Sequence, residues 1–129
     1  LKVRAQGKGE RILVVEDEPA LRSLLAEALS PWNYRINVAE NGVEAWQFFQ
    51  EHPGAIDLII SDLGMPELDG KELARRIHTS DPSVKIIISS GYLEPDEIAE
   101  LKRYGVQKVL HKPYKLKDVI EMVKAVLGS

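Results

Sequence analysis

Five short runs rich in Val, Ile and Leu recur along the chain: RILVV (11–15), YRINVA (34–39), IDLIIS (56–61), VKIIIS (84–89) and VQKVL (106–110). Segments of helical periodicity separate them, and this alternation constrains the fold more than any other feature. The runs are mostly too apolar to be strands with one wet face, so they predict a sheet covered on both sides. Between them lie Leu21, Leu24, Leu25, Ala28 and Leu29, then Val43, Trp46 and Phe49, then Leu73, Ala74 and Ile77, then Ile98 and Leu101. The last segment, with Leu116, Val119, Ile120, Val123, Val126 and Leu127, repeats at i, i+3, i+4 and i+7 and so buries one stripe. Pro19 and Pro95 suit first helical positions, and Asn41 with Glu44 and Asp69 with Glu72 have the offset of a capping box. Parallel strands need crossovers, and crossovers are right-handed, so five strands alternating with five helices predict a doubly wound parallel α/β sheet.

In such sheets sites form beyond the carboxyl ends of the strands. Glu16-Asp17-Glu18 follow the first run, Asp62 the third, Ser89-Ser90-Gly91 the fourth and Lys112-Pro113 the fifth. Carboxylates brought that close repel one another unless a positive charge sits among them, and a hard divalent cation such as Mg²⁺ suits oxygen ligands of this kind. Lys112 adds a mobile point charge and Ser90 a hydroxyl donor. Together these groups could hold a phosphoryl group on a carboxylate, because phosphoryl transfer depends mainly on positioning and charge neutralisation. Each piece alone has a plainer reading. Acidic residues at a helix start favour the helix dipole without a metal, Asp62 could cap a turn, Lys112 could be a solvated strand end, and Ser-Ser-Gly is a loop signal.

Composition narrows the choice. A length of 129 residues fits one domain, and a net charge of −3 gives no electrostatic footprint for nucleic acid or an anionic membrane. The absence of cysteine excludes disulfides and thiol chemistry, and no apolar stretch approaches the roughly 20 residues of a membrane span, so a cytoplasmic location is expected. Residues 1–10, polar and aperiodic, are expected to form a linker or tail, or a processed or tagged start, ahead of a domain over 11–129.

ILVVEDEPALRSLL, IDLIISDLGMPELDGKEL, KIIISSGY and HKPY, in this order and at suitable spacing, resemble the response-regulator receiver domain of two-component signalling over residues 11 to 127. The resemblance implies a flavodoxin-like (βα)5 fold with strand order 2-1-3-4-5. It implies that Asp62 accepts the phosphoryl group, that Glu16 and Asp17 hold Mg²⁺ together with Asp62, and that Gly64 lends the metal its backbone carbonyl. Ser90 would bind the phosphoryl oxygen and Lys112 would pair with it. Ser90 is preferred to Ser89 because it is the one followed by a small residue. Gly64 is expected to expose a carbonyl without a side chain in the way, while Pro66 and Asp69-Gly70 turn the chain back into a helix. Val109 stands where the family commonly has an aromatic residue, which throws weight on Tyr92 in the loop after the fourth strand.

The implied function is a phosphoacceptor that takes its phosphoryl group from a phosphohistidine of a histidine kinase or histidine phosphotransfer domain and switches a protein-binding surface. Such a domain catalyses its own phosphorylation and dephosphorylation but is not a turnover enzyme unless it belongs to a hybrid histidine kinase, the parent toward which SSGY and the polar lead-in lean. No direct contact with nucleic acid or membrane is expected, and a phosphorylation-dependent dimer is allowed. The alternative is a phosphorylation-independent interaction module of the same fold. A flavodoxin-like cofactor binder would need a Ser/Thr/Gly phosphate loop where this chain has EDEP. A dehalogenase-like phosphatase would need an aspartate at Gly64, and GKG at 7–9 lacks the strand and third glycine of a dinucleotide fingerprint. His52, His78 and His111 are scattered and read as surface or packing residues.

Overall fold

The computed structural model of the protein describes residues 7–128. Its strands are β1 (Arg11–Val15), β2 (Arg35–Ala39), β3 (Leu58–Asp62), β4 (Lys85–Ser90) and β5 (Val106–His111), and all neighbouring pairs run parallel in the order β2-β1-β3-β4-β5. The helices are α1 (Pro19–Leu29), α2 (Gly42–Glu51), α3 (Gly70–Ser80), α4 (Pro95–Arg103) and α5 (Leu116–Leu127), with a short 3₁₀ turn at Ser30–Trp32.

The two faces of the sheet explain why the runs of the central strands β1, β3 and β4 are apolar over most of their length. Strand side chains alternate between faces. Leu13, Val15, Ile59, Ile86, Ile88 and Val106 pack with α2, α3 and α4, while Ile12, Val14, Leu58, Ile60, Ile87 and Leu110 pack with α1 and α5. Both sides of the central strands are dry, and each fully buried aliphatic side chain contributes on the order of 1.5–3 kcal/mol relative to exposure.

Pro19 and Pro95 open α1 and α4, where a missing N–H costs nothing. Asn41 and Asp69 cap α2 and α3 by accepting from the Glu44 and Glu72 N–H groups, each at 2.8 Å. Neither forms the reciprocal half of a capping box. The Glu44 carboxylate accepts from the Glu40 N–H one residue earlier, and that of Glu72 turns to Arg75 and Arg76. Two apolar residues of the periodic segments face outward: Leu24 and Val43 are exposed, and the buried stripe of α2 is Gly42, Ala45 and Phe49. Part of the expected linker is tied to the domain. Gly7 is buried and its N–H donates to Trp32 O at 2.8 Å, Gly9 N–H donates to Asn33 O at 2.9 Å, and Glu10 O accepts from Arg35 N–H at 2.8 Å. Residues 1–6 lie outside the described residues. Among the described residues no helix is long and apolar enough to cross a membrane.

Candidate functional site

The carboxyl ends of β1, β3, β4 and β5 meet at one edge. Asp62 is the last residue of β3 rather than the first after it, because the ladder extends to its pairing with Ser89 on β4. Its backbone is held hard: Ser61 Oγ donates to Asp62 O at 2.9 Å, and the next N–H, of Leu63, donates to Ser89 O at 2.9 Å. One oxygen from each of Glu16, Asp17 and Asp62 lies within 4.8 Å of the others, with Glu16 and Asp62 buried and Asp17 exposed. Lys112 Nζ donates to Asp62 Oδ1 at 2.8 Å.

The electrostatics of this cluster are unbalanced. Burial pushes the Glu16 carboxyl above its ordinary range, and the charge of Asp62 and a hydrogen bond with Asp17 push the same way, against the Glu18 N–H that donates to it at 3.1 Å. Burial disfavours the charge on Lys112, but the hydrogen bond and charge of Asp62, with Glu16 and Asp17 behind it, outweigh that and raise the ammonium's pKa. Tyr114 is a site neighbour that the sequence did not single out. Burial, followed by the charges of Glu16, Asp62 and Glu18, pushes its phenol up to about 12, so it stays protonated. One ammonium therefore faces three carboxylates, two of them buried, and the remaining negative charge is what a hard divalent cation neutralises. The donor set fits Mg²⁺.

The turn that follows Asp62 is built by close contact. Gly70 N–H closes it onto Leu63 O at 2.9 Å, and Leu68 N–H reaches Pro66 O at 2.8 Å. A Cβ on Gly70 would stand 2.5 Å from Asp62 O and 2.9 Å from the Leu63 Cα, so this position excludes a side chain. Gly42, at the start of α2, is pressed against Leu68 O from the other side. At Gly64, an exposed position, a Cβ would meet nothing within 4 Å, so packing does not require a glycine there.

Ser90 ends β4 half-buried at the rim, opposite His111, and its carbonyl accepts the Lys112 N–H at 2.8 Å. Ser89 is buried in the ladder beside Asp62. Val109 packs partly buried against the α2–α4 face, and Tyr92 is 80% exposed. The histidines stand apart from the acidic cluster: His52 ends α2 stacked on Phe48 at 4.2 Å, His78 packs against Gly105, and His111 is exposed on β5.

Comparison with known proteins agrees with this geometry. The response regulator receiver domain model matches residues 12–124. The response regulator receiver protein CpdR of Brucella abortus (strain 2308) is 37% identical over 122 residues, spanning 92% of this chain and 97% of that protein. Sensor kinase CckA of the same organism is 37% identical over 116 residues, 90% of this chain but only 12% of the kinase. The receiver domain of a signal transduction histidine kinase from Syntrophus aciditrophicus superposes with a TM-score of 0.80 at 30% identity, covering 92% of this chain and 90% of that one. The non-phosphorylated HemR receiver domain from Leptospira biflexa gives 0.85 at 28% identity, covering 93% and 95%. With this fold, this edge and these matches, the chain belongs to the response regulator receiver domain family of two-component signalling.

Proposed function

We propose that Asp62 is the phosphoacceptor and that the phosphoryl group comes from a phosphohistidine of a histidine kinase or histidine phosphotransfer domain. The observation that carries this reading is the Lys112–Asp62 contact at 2.8 Å set against the Glu16, Asp17 and Asp62 cluster. A carboxylate at a strand end, held by its own backbone and paired with one ammonium, is an oriented nucleophile. A carboxylate oxygen of Asp62 forms the new P–O bond as the donor's P–N bond breaks, and the electron pair leaves on the imidazole nitrogen, which takes up a proton. Lys112 follows the charge onto the phosphoryl oxygens, and the Ser90 hydroxyl, at the rim beside it, donates to one of them. Glu16, Asp17 and Asp62, with the Gly64 carbonyl, would hold Mg²⁺, which supplies charge neutralisation for the phosphoryl oxygens. The phosphorylated state then biases a protein-binding surface by a population shift. A cytoplasmic location goes with this reading.

The test is label transfer from acetyl phosphate and from a phosphohistidine donor, with and without Mg²⁺. Acid-labile, Mg²⁺-dependent label that vanishes in Asp62→Asn is the expected result. Undiminished label on that variant would move the acceptor away from Asp62, and no label on the native chain with any donor would leave an interaction module that works without phosphorylation.

A further inference from the structure

Arg22 lies in the first turn of α1, and its side chain, 15% exposed, turns back under the acidic loop. Nη1 donates to the backbone carbonyl of Glu16 at 2.8 Å, and Nη2 stands 3.7 Å from Glu40 Oε1. From the other side, Glu16 N–H donates to Ala39 O at 3.1 Å. The carbonyl that Arg22 holds belongs to the planar peptide joining Glu16 to Asp17, so fixing that oxygen fixes the rotation that aims both carboxylates. The guanidinium is suited to this because its rigid fork reaches two acceptors in different directions, whereas an ammonium is a single point. Glu40, on the loop after β2, offsets the guanidinium charge, so Arg22 is not an uncompensated cation beside the cluster.

We propose that Arg22 is a positioning residue for the divalent cation: it orients the Glu16–Asp17 peptide and so sets the two carboxylates for binding. This inference rests on the reading that Glu16, Asp17 and Asp62 hold the cation. Its sign separates it from a simple charge effect. Removing a positive charge near a cation site tightens binding by electrostatics alone, but removing an orienting group weakens it.

The experiment is a Mg²⁺ titration of the unphosphorylated full chain, followed by calorimetry and by the amide NMR signals of residues 16–18. Arg22→Met, which keeps the apolar stem, is expected to weaken Mg²⁺ binding about tenfold, in line with the loss of groups that orient metal ligands. Arg22→Lys should fall between it and the native chain, about threefold weaker. Glu40→Gln should stay within about twofold, because it touches the guanidinium and not the Glu16 carbonyl. Mg²⁺ binding that is unchanged or tighter in Arg22→Met overturns the inference. If that variant does not fold, Arg22→Lys decides alone: its charge is preserved, so weaker binding supports the positioning role and native affinity refutes it. Failure of the underlying site is read separately, from Asp17→Asn. Native Mg²⁺ affinity in that variant removes the cation site itself, and with it the role of Arg22.

Discussion

Gly70→Ala should damage the fold and the phosphoacceptor together. The added Cβ would lie 2.5 Å from Asp62 O and 2.9 Å from the Leu63 Cα. Ordinary contacts of this kind sit near 3.5 Å, so the turn must open by roughly 1 Å, and both obstructing groups are backbone that cannot swing aside. Overpacking of this sort costs about 1–3 kcal/mol. Against it stands a gain of about 0.4–1 kcal/mol from the stiffer unfolded chain. The net loss is then about 0–2.6 kcal/mol, centred on about 1.3, and at about 4 °C per kcal/mol for a domain of this size the Tm falls by about 5 °C at the centre of that range. The displaced carbonyl belongs to Asp62, and a misplacement of about 1 Å can cost about a hundredfold in rate, so label transfer should slow by one to two orders of magnitude. Gly64→Ala is the control for stability, because its Cβ meets nothing within 4 Å, so only the gain from the stiffer unfolded chain remains and the Tm stays native or rises slightly. Thermal denaturation and initial phosphorylation rates on both variants read the comparison. A Gly70→Ala protein with native Tm and native labelling rate would refute the claim that this contact sets the Asp62 turn.

Three further outcomes follow from the site. Mg²⁺ should stabilise the native protein by about 1.4 kcal/mol at tenfold excess over its Kd, and Asp17→Asn should lose that response in a thermal titration. Glu16 carries a raised pKa in the fold, so the folded state holds its proton more tightly than the unfolded chain, and metal-free stability should fall as pH rises from the ordinary value of 4.5 through the folded one. Glu16→Gln should flatten that slope and stabilise the metal-free protein at neutral pH, and denaturant titrations from pH 4 to pH 8 measure it. Ser90→Ala should slow phosphorylation while Ser89→Ala, packed in the ladder, should mainly lower stability, by about 1 kcal/mol or less; the reverse pattern would transfer the hydroxyl role to Ser89.

Local pattern determined much of this protein. The stretch III at 86–88 is apolar at every position because both faces of β4 are covered, and the five-fold alternation leaves few topologies, so the parallel sheet and the edge where Asp62, Lys112 and the Glu16-Asp17 pair meet were legible from the chain alone. Pro19, Pro95, Asn41 and Asp69 fixed four helix starts, since a cap is decided within one turn of backbone. Periodicity did not say that Leu24 and Val43 would face outward, because where the edge of a helix's buried stripe falls depends on the helix's roll against the sheet. Neither did it separate Gly70, which the Asp62 carbonyl forbids to carry a side chain, from Gly64, which faces open space. The grip of Arg22 on the Glu16 carbonyl, the approach of Tyr114 to the acidic cluster and the pairing of residues 7–10 with residues 32–35 likewise arose only on folding. Each depends on a distance between groups on different elements or, for Arg22 and Glu16, across the turn between β1 and α1, and such distances are set by how helices and strands pack, not by the residues that flank each position.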